Sequence, residues 1–173
     1  MPLKINFEKI KRARLSINTP GVSDFKNSEQ DMVDFIQKDA LKDQEKHVGT
    51  TWTWILDDKV LVGFVSLAMF SIDRRDMPKD KQGKYPYSTI PSLLIGQLAT
   101  HSEYECNGLG VEMIKFAVSQ GHEASQLYGC RTVALHPLPS ATSWYQKKTT
   151  FKQIERDGAN IMYFDLMPNP IRS

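Results

Sequence analysis

The order of elements predicts an α/β chain of the α+β kind, with a central mixed, mostly antiparallel twisted sheet and helices on both faces. Three observations carry that prediction. Residues 51–69 read as an antiparallel hairpin, residues 92–135 read as strand, glycine loop, helix and strand, and a last pair of strands follows one more helix. A strand–helix–strand crossover joins parallel neighbours, so it makes the sheet mixed.

Taken in order, residues 10–18 alternate weakly and predict a first strand, ended by the turn Asn18-Thr19-Pro20-Gly21. Ser28 with Asp31 resembles a capping box, and Met32, Phe35, Ile36 and Ala40 mark an apolar stripe, so a helix is predicted from Ser28 to about residue 44. Residues 51–56 and 60–69 are rich in β-branched and aromatic types and flank the turn Asp57-Asp58-Lys59. Residues 73–88 lack periodicity, contain Pro78, Gly83 and Pro86, and predict a long loop. The strand at 92–100 leads into Glu105-Cys106-Asn107-Gly108-Leu109-Gly110 and a helix with Leu109, Met113, Phe116, Ala117, Ala124 and Leu127 on one face. Tyr128-Gly129 stops that helix, residues 131–135 form a short buried strand, and His136-Pro137-Leu138-Pro139 breaks it. Ser140 caps a helix with Ala141, Trp144 and Tyr145, after which residues 151–155 and 160–166 close the chain as a hairpin around Asp157-Gly158.

Composition bounds the function. A chain of 173 residues with 40% apolar content builds one substantial core, so residues 1–173 are expected to form a single domain. Charges interrupt every apolar run near the N-terminus, and no segment reaches the ~18 apolar residues of a membrane span, which predicts a soluble, cytoplasmic protein without a membrane partner. Cys106 and Cys130 have no metal-type spacing and are expected to be two free thiols, with no metal site. A net charge of +2 makes no global case for nucleic acid; locally, Arg74, Arg75, Lys79, Lys81 and Lys84 crowd one segment, which reads as a solvated, mobile connection.

The chemistry concentrates in the glycine loop. Glycines at 108 and 110 let the backbone approach a pyrophosphate closely, and the free N–H groups of the first helical turn, Glu105 to Gly110, point at it with the positive end of the helix dipole.

Strand, loop and helix in this order resemble the Gcn5-related N-acetyltransferase (GNAT) superfamily, which binds acetyl-CoA through a Gln/Arg-x-x-Gly-x-Gly/Ala loop. Here the loop is Glu105-x-x-Gly108-x-Gly110, with a carboxylate at the first position. Ala141-x-x-Trp144-Tyr145 is similar to the family's Ala-x-x-Phe-Tyr; Thr149-Thr150 then stands in place of the usual glycine before Phe151. Phe25, the helix at 32–40, Val62-Gly63-Phe64 and Ile95-Gly96-Gln97-Leu98-Ala99-Thr100 look most like the TacT-type branch, whose studied members are toxins that acetylate aminoacyl-tRNA.

The resemblance implies a three-layer GNAT-like fold and direct attack of a primary amine on the thioester of acetyl-CoA, without a metal. The backbone of Leu98, Ala99 and Thr100 would pair with the pantetheine arm. Glu105, Cys106, Asn107, Gly108, Leu109 and Gly110 would hold the pyrophosphate, with Ser140 and Ser143 touching the cofactor from the following helix. Tyr145 is the expected general acid, protonating the leaving thiolate or donating a hydrogen bond to it. His136 and His101 each end a strand, and each is a candidate base, with His136 beside the expected substrate slot. Glu103 and Glu105 are further acids that could recruit the amine. The acceptor stays open between the amino group of aminoacyl-tRNA, in which case Arg74, Arg75, Lys79 and Lys84 hold phosphates, and a small-molecule or protein amine. A non-catalytic acyl-CoA-binding module is the rival class. An antitoxin partner and a homodimer are implied only by analogy.

Overall fold

Two consecutive left-handed residues turn the hairpin on which the rest of the sheet is laid out. Asp57 and Asp58 have φ of 50° and 56°, a conformation that Asp tolerates, and Lys59 N–H closes the turn on Leu56 O at 3.0 Å. The computed structural model describes residues 2–154, 158 and 160–167. Among them seven strands are ordered β1-β2-β3-β4-β5-β7-β6 along the sheet. β1 (Ile10–Arg14), β2 (Thr50–Leu56) and β3 (Val60–Asp73) precede β4 (Thr89–Thr100), and β5 (Thr132–Leu135), β6 (Lys152–Gln153) and β7 (Met162–Asp165) follow it. β1–β2, β2–β3, β5–β7 and β6–β7 are antiparallel, whereas β4 and β5 are parallel, with Ser92 opposite Thr132 and Ile95 opposite Leu135. The mixed sheet and its one crossover through residues 92–135 are as the sequence predicts.

The chain divides into two compact units, one of residues 1–68 with 96–114 and one of residues 69–95 with 115–173. In the first, a helical segment runs as α1 (Gln30–Asp34), a π-helical turn (Phe35–Asp39) and α2 (Ala40–Glu45). Its Ile36 and Ala40 pack with Leu15, Phe25, Leu61, Phe64 and Ala99 in one buried cluster. The next residue back along β3, Gly63, points the opposite way, where a Cβ would lie 3.1 Å from both Leu109 Cδ2 and Met113 Sδ. Helices therefore cover both faces of the strand here. The second unit is centred on Ile72, Met77, Tyr85, Ile90, Ala134, Ile154 and Tyr163. There α4 (Leu109–Leu127) approaches β5 so closely that a Cβ on Gly121 would sit 2.6 Å from Val133 Cγ2.

Several boundaries differ from the sequence reading, each for a local reason. β1 stops at Arg14 because Ser16 N–H turns onto Thr19 Oγ1 at 2.9 Å, which draws residues 16–18 out of the ladder. Ser28 is not the helix cap. Asn27 Oδ1 takes the N–H of Glu29 at 2.9 Å, Glu29 becomes the N-cap, and the helix starts at Gln30. Residues 73–88 are not a structureless loop: Asp73 caps a 3₁₀ turn at Arg74–Asp76, α3 (Lys79–Gln82) follows Pro78, and buried Met77 and Tyr85 anchor the segment. A four-residue helix is too short to leave a periodic trace. Leu127, assigned to the apolar face of α4, is 70% exposed, since that face is spent once Gly121 has passed. Ser140 is not a cap either, because α5 (Thr142–Lys148) has Ala141 at that position. The closing strands are shorter than predicted, and Glu155 and Asp157 of the predicted hairpin lie outside the described residues.

Candidate functional site

In the first unit the end of β4 and the loop after it are consecutive. The ladder from β4 to β5 ends at Ile95, so residues 96–100 run on without β5. His101 N–H bonds Val62 O at 2.8 Å on the β3 side. By alternation, Leu98 and Thr100 present their backbone groups to the other edge, where Asn27 Nδ2 reaches Thr100 O at 2.8 Å. Ala99 is buried in the first unit's core. Of the predicted segment Leu98-Ala99-Thr100, Leu98 and Thr100 turn their backbone groups away from β3 and Ala99 turns its own toward it, and Thr100 O is occupied by Asn27.

A 3₁₀ turn at Ser102–Tyr104 leads into the glycine loop. Cys106 and Gly108 both have positive φ, 61° and 82°, and Asn107 lies between them. Gly108 O accepts from Val111 and Glu112 N–H at 3.1 and 3.2 Å, so Gly108 starts α4. The N–H groups of Gly108, Leu109 and Gly110, ahead of these bonds, have no carbonyl of the helix to meet and carry its partial positive charge. Gly108 is exposed, and a Cβ on it would meet nothing within 4 Å, so no protein atom fills the space beside it. Leu109 is 1% exposed and contributes only its backbone here; Cys106 is exposed, and Glu105 and Gly110 are half-buried. These residues fit a pyrophosphate.

His101, one of the two candidate bases, belongs to this unit and serves it structurally. Its Nδ1 accepts Glu103 N–H at 3.2 Å, so the ring proton sits on Nε2 and is donated to Asp24 O at 3.3 Å. The ring is buried and packs edge-on against Phe25 and Tyr104 at 5.6 and 5.5 Å. Neither nitrogen is left for a proton from substrate.

The second unit holds the other predicted residues. His136 follows β5 and is exposed, with Nδ1 3.0 Å from Asn160 O. A carbonyl only accepts, so Nδ1 carries the proton and the lone pair rests on Nε2. Asn160 is itself held by its Nδ2 bond to Pro137 O at 2.8 Å, and the imidazole stands edge-on to Phe70 at 5.7 Å. Nε2 is thereby the nitrogen that faces away from this bond. Tyr145 sits on α5, 8% exposed and edge-on to Trp144 at 5.0 Å. Burial pushes its phenol up to about 12. Ser140 and Ser143 are exposed at the start of this helix. Where a glycine was expected after α5, Thr149 ends the helix instead: its hydroxyl donates to Tyr145 O at 2.7 Å and accepts Phe151 N–H at 3.3 Å.

The cationic cluster is more ordered than its composition suggests. Arg75 grips Asp73 through both carboxylate oxygens, Arg74 bonds Tyr85 O at 3.1 Å, and Lys81 Nζ reaches Tyr163 Oη at 3.2 Å and lies over its ring. Lys79 and Lys84 stay exposed. Asn27, Asn107 and Asn160 are the residues that sequence reasoning missed as side chains, because their side-chain partners are 73, 102 and 23 residues away.

The family model for acetyltransferases of the GNAT family matches residues 19–151. No curated protein matches the sequence. Among solved structures the chain is similar to AtaT complexed with acetyl-methionyl-tRNAfMet, with a TM-score of 0.82 and 19% identity over 90% of this chain and 94% of that one. It is similar also to a tyrosine-to-phenylalanine mutant of KacT, with a TM-score of 0.84 and 18% identity over 91% and 95% of the two chains. AtaTR bound with acetyl-CoA matches with a TM-score of 0.76 and 15% identity over 92% and 95%. At these identities the likeness is one of fold.

Proposed function

Because the chain belongs to the acetyltransferase (GNAT) family, an acetyl-CoA-dependent class of enzymes, we propose that it N-acetylates the amino group of aminoacyl-tRNA. The observation that supports the cofactor half of this reading is the left-handed turn at Gly108, exposed at the start of the 19-residue α4, where the first N–H groups of a long helix are free to meet an anion. The tRNA half is supported by the solved relative that holds acetyl-methionyl-tRNAfMet. The match runs through both compact units, which supports reading residues 1–173 as one acetyltransferase domain. No helix among the described residues is long and apolar enough to cross a membrane, in keeping with work in the cytoplasm. Relatives solved with the antitoxin AtaR, and KacTA with DNA, support expecting an antitoxin partner for this chain too.

Acetyl-CoA supplies a thioester open to attack by an amine. In this reading the backbone of Leu98 and Thr100 aligns the pantetheine arm, and residues 105–110 neutralise the pyrophosphate. His136 Nε2 takes the proton that the amine must lose, and Asn160 holds the ring in the tautomer that leaves this nitrogen free. Tyr145 donates a hydrogen bond to the departing sulfur. With its phenol near 12 and a thiol near ~8.5, outright proton transfer would be uphill by about 5 kcal/mol, so Tyr145 stabilises the charge and keeps its proton. Ser140 and Ser143 line the start of the same helix and touch the cofactor.

The test is acetyl transfer from labelled acetyl-CoA to aminoacyl-tRNA, to free amino acids and to peptide amines across a salt series. Transfer to aminoacyl-tRNA that weakens steeply with salt supports the proposal, since phosphate contacts release counterions. Salt-insensitive transfer to the small amines alone sinks the tRNA acceptor and leaves the enzyme class standing.

A further inference from the structure

The side chain of Asn107 does more than fill the glycine loop. Its Oδ1 accepts Ile5 N–H at 3.1 Å, and its Nδ2 donates to Leu3 O at 2.7 Å, to Tyr104 O at 3.0 Å and to Glu105 O at 3.1 Å. Two protons serve three carbonyls, so one bond is shared. Leu3 N–H adds a backbone bond to Glu103 O at 2.6 Å. Residues 3–5 therefore form a strap across the loop, gripping it at 103 and 107. Hydrophobic burial does not explain the strap, because Leu3 is 49% exposed and residues 2–4 are all exposed. What it does reach is a loop with a non-glycine residue, Cys106, at φ 61°, a conformation that costs about 1–2 kcal/mol and persists only where neighbours enforce it. Asn107 is that neighbour, tying the carbonyl before Cys106 and the one before that to the strap.

We propose that Asn107 and the strap at residues 3–5 are positioning elements of the phosphate cradle, holding the left-handed turn at Cys106 so that the loop's N–H groups converge on the pyrophosphate before it arrives. This rests on the acetyl-CoA reading above. It predicts that strap and side chain act as one device, and only on donors that carry a pyrophosphate.

Three variants test it: Asn107→Ala, a chain lacking residues 2–5, and the two combined, each assayed with acetyl-CoA and with S-acetylpantetheine, which has no pyrophosphate. Each single change is expected to raise KM for acetyl-CoA about tenfold with kcat unchanged, and to leave kcat/KM for S-acetylpantetheine where it was. The combined variant should lose less than the product of the two single losses, because both halves hold the same turn, while each keeps a bond of its own: Asn107 Nδ2 to Tyr104 O and Glu105 O, and Leu3 N–H to Glu103 O. Equal losses on both donors, no loss on either, or effects that multiply in the combined variant would overturn the proposal. Should Asn107→Ala not fold, the truncation, which removes three exposed residues and half-buried Ile5, carries the test. Failure of the underlying reading looks different: the unaltered protein then binds no acetyl-CoA at all.

Discussion

His101 and His136 occupy equivalent places, each the first residue after a central strand, yet the fold engages both nitrogens of the first and only one of the second. His101 is buried, with one nitrogen capping the turn that begins the cofactor loop and the other bonded to Asp24 O. His136 is exposed, with one nitrogen bonded to Asn160 O and the other bearing a lone pair. A histidine's role is set by how many of its two nitrogens the backbone consumes. Position in the chain carries no such information.

The contrast can be broken by mutation, and Tyr145, the partner expected to act with His136, gives the largest effect. Tyr145→Phe should lower kcat between 10²- and 10³-fold with KM for acetyl-CoA unchanged, as steady-state kinetics will show, because only a donor to the leaving sulfur is lost. His136→Ala should lower kcat about 10²-fold, recover in part with added imidazole, and melt at the temperature of the unaltered protein. His101→Ala should do the reverse. It strips a buried ring from Phe25 and Tyr104 and leaves Glu103 N–H and Asp24 O without their partner, a loss of about 3 kcal/mol that calorimetry would read as a melting point lower by roughly 5–10 °C. Imidazole should not restore it.

A smaller effect sharpens the account of Tyr145. Its folded value, near 12, lies above the ordinary 10, so folding favours the neutral phenol. That contribution is whole below pH 10 and is lost as pH rises from 10 through 12. Denaturant titrations should therefore show the unaltered protein losing about 2–3 kcal/mol more than Tyr145→Phe across this window. A parallel decline of the two would mean that the phenol is not buried as described.

Much of the fold was legible because long elements leave periodic traces. The run into β4, the glycine loop and the 19-residue α4 could be read in order, and the loop is contiguous, so a motif found it. The misses share one cause. Asn27 takes Glu29 N–H and moves the start of the first helix from Ser28 to Gln30, and Ala141 rather than Ser140 precedes α5, neither of which propensity encodes. The difference between the two histidines depends on carbonyls 77 and 24 residues away. The cationic segment at 73–88 looked mobile by composition, yet Met77 and Tyr85 bury it and its arginines bond locally. Side-chain bonds made at long range are visible only once the chain has folded.

The most direct measurement is calorimetric titration of acetyl-CoA into the unaltered protein and into Gly108→Glu. The substitution puts a carboxylate on the loop at a residue with φ 82°, so it should weaken binding at least a hundredfold, through its charge and through the strain of a side chain in that left-handed turn. Saturable binding that this change abolishes is the predicted result; equal binding by both proteins, or none by either, would contradict a phosphate cradle at Gly108.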